Sequence, residues 1–183
     1  INKTCHADIA SSDTFWTGMT LKLHGKYDLA GIKDIIVGGD GGTWIKDGVD
    51  YFKGRFQLCR YHLNREISHK LGSDSETIKA LYESINNEDM DAIFTTLNKA
   101  ASMAKGDKAK EIKKLYRYIR ANVFGLKDYR REVSNGKNLR RTGAIEGNID
   151  KLIVRRMKNQ GMSWTPEGIR RMLAVRFLSR EAN

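Results

Sequence analysis

Residues 31–45 read GIKDIIVGGDGGTWI. Ile35, Ile36 and Val37 form a short β-branched run closed by glycines. Branching at Cβ restricts a side chain in a helix and suits a pleated, half-buried surface. A short apolar run bounded by glycine therefore predicts a buried strand. Thr43 offers a cap to a following helix, which Trp44, Ile45 and Val49 carry to about Phe52. A buried strand followed by a helix points to an α/β fold. In such folds ligands gather beyond the carboxyl ends of the strands. Asp40 stands at that end, flanked by Gly39, Gly41 and Gly42, with room for a metal ion or a phosphate to approach. Asp-Gly is also a common turn pair, so a turn residue is the alternative. GGDGGT has neither the lysine nor the spacing of a Walker loop, and no GxGxxG fits.

Residues 55–61, RFQLCRY, predict a second strand, with His62 opening a helix that carries Leu63 and Ile67. Cys59 and His62 form a C-x-x-H pair, which is half of a zinc site. Cys5 and His6 could complete it, but no motif brings the pairs together, and a buried Cys with a His at a helix start is the plainer reading. Upstream, residues 2–10 are weakly strand-like. Ser12 and Asp13 start a helix whose stripe is Phe15, Trp16, Met19 and Leu23, ending near Gly25.

From about residue 73 to 131 the period is helical throughout. Ile78, Leu81, Tyr82 and Ile85 mark one helix. Ile93, Phe94 and Leu97 mark a second, opened near Asn87, and Ile112, Leu115, Tyr116 and Ile119 mark a third. Gly72, Gly106 and Gly125 punctuate the block, and residues 105–114 read as a solvated face. In residues 142–164, TGAIEGNIDKLIVRRMKNQGMSW, Ile145, Ile149, Leu152 and Ile153 recur at helical spacing. Glu146 and Asp150 sit beside that face, and Arg155, Arg156 and Lys158 follow before Gly161. A carboxylate in the first turn with cations two turns on suits a metal ligand beside a phosphate-binding surface, and equally a surface helix with ordinary charge pairs. Thr165 and Pro166 then open a last helix with Ile169, Met172, Leu173 and Phe177 buried. The partition is 1–62, 63–138 and 139–183.

The net charge is +11, and residues 139–180 hold ten Lys or Arg against three Asp or Glu. Such a balance points to a polyanion, nucleic acid before acidic membrane. No apolar run is long enough for a membrane span. Two cysteines make no disulfide framework, and a reducing cytoplasm is the default.

Three segments, GDGGTWIKDG, FQLCRYHLNREI and RRTGAIEGNIDKLIVRRMKNQGMSW, together resemble the catalytic region of the ISLre2-type bacterial insertion-sequence transposases. These are DDE enzymes of the UPF0236 type, related in pattern to Mutator-like elements. The resemblance runs from about Phe15 to Met172, and the last segment is its most specific part. It implies a partial RNase H-like fold interrupted by an all-helical insertion, which would be residues 63–138. It implies three carboxylates holding two Mg2+ or Mn2+ ions, with Asp40 matching the second Asp and Glu146 the Glu. Cys59 and His62 match the C-x-x-H position of Mutator-like relatives.

On that reading the chain carries out metal-dependent DNA cleavage and strand transfer. Two ions about 3.5–4 Å apart can activate the attacking oxygen and stabilise the leaving one, and hard oxygen ligands suit magnesium. Arg140, Arg141, Arg155, Arg156 and Lys158 would hold DNA phosphates. Trp164 could stack on a splayed base or anchor its own loop. The partners implied are transposon ends and target DNA, with a homo-oligomer in the full-length protein and no membrane. The first Asp has no matching motif in the chain, which opens on Ile1 rather than Met. The expectation is that it lies upstream and that this chain alone is inactive. The alternatives are a non-catalytic DNA-binding remnant of a transposase and a structural-zinc nucleic-acid protein.

Overall fold

The computed structural model describes residues 4–133, 136, 139, 147, 149–158 and 161–181, without the side chains of residues 152, 156 and 179–181. Among these the chain is mostly helical, with one short parallel sheet. It divides into two compact units. The first comprises Ile1–Ile35, Asp47–Gly54 and Gly143–Asn183, the second Ile36–Lys46 and Arg55–Thr142.

The second unit holds both strands and the start of the helix that connects them, whose residues from Asp47 onward belong to the first unit. Strand β1 (Ile36–Gly39) leads through helix α2 (Thr43–Phe52) to strand β2 (Arg55–Leu58). The strands pair in parallel, Ile36 opposite Arg55 and Gly39 opposite Leu58. Parallel pairing requires a crossover, here made by a helix. Both strands therefore end on the same edge. The ladder is extended one step by the Cys59 N–H, which donates to the Gly39 carbonyl at 2.7 Å. Strand β2 stops sooner than the apolar pattern predicts, because the chain turns into helix α3 (Arg60–Leu71) directly after Cys59. Thr43 is likewise the first residue of α2 and not its cap. Gly42 holds the cap position, its carbonyl accepting from the Ile45 and Lys46 N–H groups at 3.1 and 3.3 Å.

Three more helices follow: α4 (Ser75–Asn86), α5 (Met90–Met103) and α6 (Gly106–Ala121). The carboxylates of Asp74 and Asp89 cap α4 and α5, accepting from Thr77 N–H at 3.1 Å and Ala92 N–H at 2.9 Å. The second predicted helix thus opens at Asp89, two residues beyond Asn87, where a side-chain acceptor exists for the free N–H groups. Leu63, Ile67, Leu71, Leu81, Ile85, Ile93, Leu97, Ile112, Leu115 and Ile119 form one buried cluster with Leu58 of β2. The 3.6-residue period has turned each apolar stripe inward. Residues 105–114 are only in part a free solvated face, since Lys108 donates to the Leu71 carbonyl and Glu111 accepts from both Lys70 and Lys114.

The first unit holds helix α1 (Ser12–His24), capped by Ser11, whose side chain accepts from Thr14 N–H at 3.2 Å. Trp16 is buried, its ring 5.9 Å from that of Phe52. Residues 4–10 form no strand, contrary to the sequence pattern. Their polar groups meet side chains instead: Asp8 pairs with Arg170 at 3.1 Å, and Arg170 also donates to the Ile9 carbonyl at 2.8 Å. Arg170 belongs to helix α7 (Pro166–Glu181), capped by Thr165 as the Thr-Pro pair predicts.

Asp150–Val154 forms a π-helical turn and runs into the helical turn Arg155–Met157. The apolar pattern there predicts an α-helix with one apolar face. In the structure Ile149 is 42% exposed. The wider spacing instead suits the ion pair between Asp150 and Arg155, five residues apart and 2.6 Å long.

Because Leu115 is fully buried at the centre of the helical cluster, Leu115→Ala is expected to cost about 2–5 kcal/mol. Urea unfolding checks this through a lower midpoint at an unchanged slope.

Candidate functional site

The carboxyl edge of the β1–β2 pair carries Asp40 after one strand and Cys59 after the other. The Asp40 backbone turns sharply into α2. Its Oδ1 accepts from the Gly42 N–H at 2.9 Å, a side-chain turn, and among the described residues Oδ2 has no hydrogen-bond partner. Asp40 is exposed. The turn reading and the ligand reading are thus compatible, one oxygen serving each.

Gly41 makes this turn possible. Its φ is +99°, a value that L side chains rarely adopt. An added Cβ would also stand 2.6 Å from Asn122 Oδ1. Asn122, just past the end of α6, is 4% exposed and donates from Nδ2 to the Tyr118 carbonyl at 2.8 Å. Tyr118, one turn earlier, donates its hydroxyl to the Asp40 carbonyl at 2.9 Å. Lys46 of α2 completes the joint, donating to the Ala121 carbonyl at 2.7 Å. The end of α6 therefore holds this segment by two hydrogen bonds, at Asp40 and at Lys46, with Asn122 beside Gly41. Neither Tyr118 nor Asn122 was singled out by motif or period, since their partners are a distant backbone.

The edge is electrostatically one-sided. Burial first, and then the negative fields of Asp40, Glu66 and Cys59, push the Tyr118 phenol up to about 12, with Arg65 acting against them. A phenol held neutral in this way remains a hydrogen-bond donor to the loop.

Cys59 is buried and occupies the cap position of α3. His62 lies in the first turn of that helix, not at its start, because β2 ends early. Its ring meets Tyr61 edge-on at 5.4 Å between centroids. Among the described residues, no group of three or more His, Cys, Asp or Glu side chains is placed to hold a metal ion. Glu146, Arg140 and Arg141 lie outside the described residues, as does the side chain of Arg156. Arg155 is engaged with Asp150, and Lys158 is exposed. Trp164 donates its indole N–H to the Met157 carbonyl at 2.8 Å. This hydrogen bond fastens the loop back onto the preceding turn.

Opposite β2's exit, Gln57 is buried and serves both ways. It donates to the Gly125 carbonyl at 2.8 Å and accepts from the Tyr129 N–H at 2.9 Å. It fixes the chain that follows α6 against the sheet edge.

The model of the uncharacterised protein family UPF0236 matches residues 2–182. The chain belongs to that family. Curated UPF0236 relatives from Caldanaerobacter subterraneus subsp. tengcongensis are 29%, 27% and 27% identical, each over 92% of this chain. The chain spans about a third of their length, 36%, 36% and 34% respectively. The first of these relatives bears a single name that joins eleven locus designations. No solved structure matches the chain. Among the described residues no helix is long and apolar enough to cross a membrane.

Tyr118 supplies a pH test of the site. Its folded-state pKa is raised from 10.0 to about 12, so the neutral phenol favours the folded state. That contribution is complete below pH 10 and is lost as pH rises toward 12. Wild-type protein is expected to lose stability across this window, and Tyr118→Phe to remove that component. Unfolding midpoints of the two proteins between pH 9 and 12 check it.

Proposed function

We propose that this UPF0236 chain is the C-terminal catalytic part of a DDE transposase with an RNase H-like core, acting in metal-dependent DNA cleavage and strand transfer. The observation that carries the reading is Asp40. It is an exposed carboxylate at the carboxyl end of a parallel strand, on a glycine-supported turn, with Oδ2 uncommitted among the described residues. That is where α/β folds gather ligands, and an oxygen donor of this kind suits Mg2+ or Mn2+.

Asp40 and Glu146 would hold the ions, together with a third carboxylate of the full-length protein. Bound there, a metal pair supplies charge neutralisation at the attacking and leaving oxygens of a phosphodiester. What this chain's residues do can be stated more fully. Tyr118 holds the loop that presents Asp40, Lys46 ties the following helix to the end of α6, and Asn122 sits beside Gly41. Gly42 orients the Asp40 carboxylate through Oδ1, so that the free oxygen keeps one direction. The basic residues of 139–180, Arg155 and Lys158 among them, hold phosphates without reading sequence.

Two further facts support the reading. The net charge of +11 suits a nucleic-acid partner. The name of one relative joins eleven designations, a multiplicity that suits a mobile element. On this proposal the partners are transposon ends and target DNA, and the full-length protein works as a homo-oligomer.

The test is transposition by the full-length protein. Asp40→Asn and Glu146→Gln are each expected to lower it at least ~100-fold, the upper end of what losing even an outer-shell metal partner costs. Circular dichroism of the variants checks that the fold is kept. Wild-type transposition in either folded variant would refute the assignment.

A further inference from the structure

The net charge of the chain has two sources. Residues 139–180 carry one excess of cations. The other lies in α6, where six Lys or Arg stand against two Asp or Glu. Outside these two segments Lys and Arg number 17, and Asp and Glu also number 17. The excess on α6 is moreover sorted by face. From Lys110 to Arg120 its exposed residues are Lys110, Lys113, Lys114, Arg117 and Arg120. Every one is cationic. The exposed residues of α4 include Glu76, Lys79 and Glu83, and those of α5 include Asp91, Asn98 and Lys99, so neighbouring helices solvate themselves with mixed charge. Ordinary solvation does not require the pattern of α6, and like charges spaced three and four apart destabilise a helix slightly.

Lys110 and Lys114 have carboxylate partners in Asp107 and Glu111. Among the described residues no ion pair engages Lys113, Arg117 or Arg120. Asn98 and Ser102 line a shallow groove beside Lys113 and Arg117, adding neutral groups of the kind that contact phosphates. The ridge spans about 15 Å at the rise of an α-helix. One strand of a parallel duplex presents about four phosphates over that length. Tyr118, which holds the Asp40 loop, lies on the same helix one turn beyond Lys114, at the flank of this face.

We infer that the exposed face of α6, centred on Lys113, Arg117 and Arg120, binds the sugar–phosphate backbone of duplex DNA. The choice of DNA among polyanions rests on the function proposed above. The face gives the helical block a task of its own: it holds the substrate beside the loop that the same helix positions.

Fluorescence anisotropy of a duplex of arbitrary sequence with the full-length protein tests this. The variant Lys113→Gln/Arg117→Gln/Arg120→Gln is compared with Lys33→Gln/Lys79→Gln/Lys127→Gln, which removes as much charge from exposed sites elsewhere. The ridge variant is expected to bind roughly tenfold or more weakly near 0.1 M salt. Its plot of log affinity against log salt should flatten by about 2–3, and the control should stay within about twofold of wild type. Arg117→Gln and Arg120→Gln singly should each flatten the slope by about 1, and they carry the test should the triple variant melt early. Equal losses in ridge and control variants overturn the inference. So does unchanged duplex binding by the ridge variants, including the case where only RNA or anionic vesicles are lost. If Asp40→Asn still transposes while the ridge variant has lost duplex affinity, the catalytic reading fails and the ridge stands.

Discussion

The hydrogen bond from the Tyr118 hydroxyl to the Asp40 carbonyl joins the two halves of the second unit. On one side is a two-stranded parallel ladder, too short to be stable alone. On the other is a helical cluster whose stripes are fully buried. The ladder gains its support from that cluster, through Leu58 in the shared core and through the last turn of α6 at the loop. Asn122 fits against Gly41 only because that residue has no side chain, and the positive φ of Gly41 is what turns the chain into α2. Loop shape and helix position are thus a single arrangement, and Asp40 is its exposed product.

This changes the standing of the helical block. As a sequence, residues 63–138 read as a helical insertion between the strand region and Glu146. In the structure α6 supplies the residues that shape the Asp40 turn, and α3 begins at the cap residue of the second strand. The block and the sheet edge are therefore one cooperative body. Any chemistry at Asp40 depends on helices that lie some eighty residues further along.

Where the sequence was legible, the reason is local. Helices α4 to α6 run 12 to 16 residues with an unbroken 3.6 period, and aspartates stand at two of their starts. The β-branched run before Asp40 could be little else than a buried strand. The failures are equally physical. The strand after Gly54 and the helix after it share apolar residues, and only the cap at Cys59 settles the boundary. A π-helical turn has no 3.6-residue signature, so residues 150–154 read as ordinary helix. Tyr118 carries no sequence signal, because a hydrogen bond spanning 78 residues to a backbone carbonyl leaves no period or motif. The ridge on α6 was visible as charge, but its one-sidedness became readable only once burial sorted the helix into faces.

Metal-directed cleavage of the polypeptide tests the central claim most directly. Fe2+ substituted for Mg2+ in the full-length protein, with ascorbate and peroxide, generates radicals that cut the backbone beside the metal's ligands. The account predicts cuts at Asp40 and at Glu146, both suppressed by excess Mg2+. Cuts at neither position, or at one without the other, would contradict it.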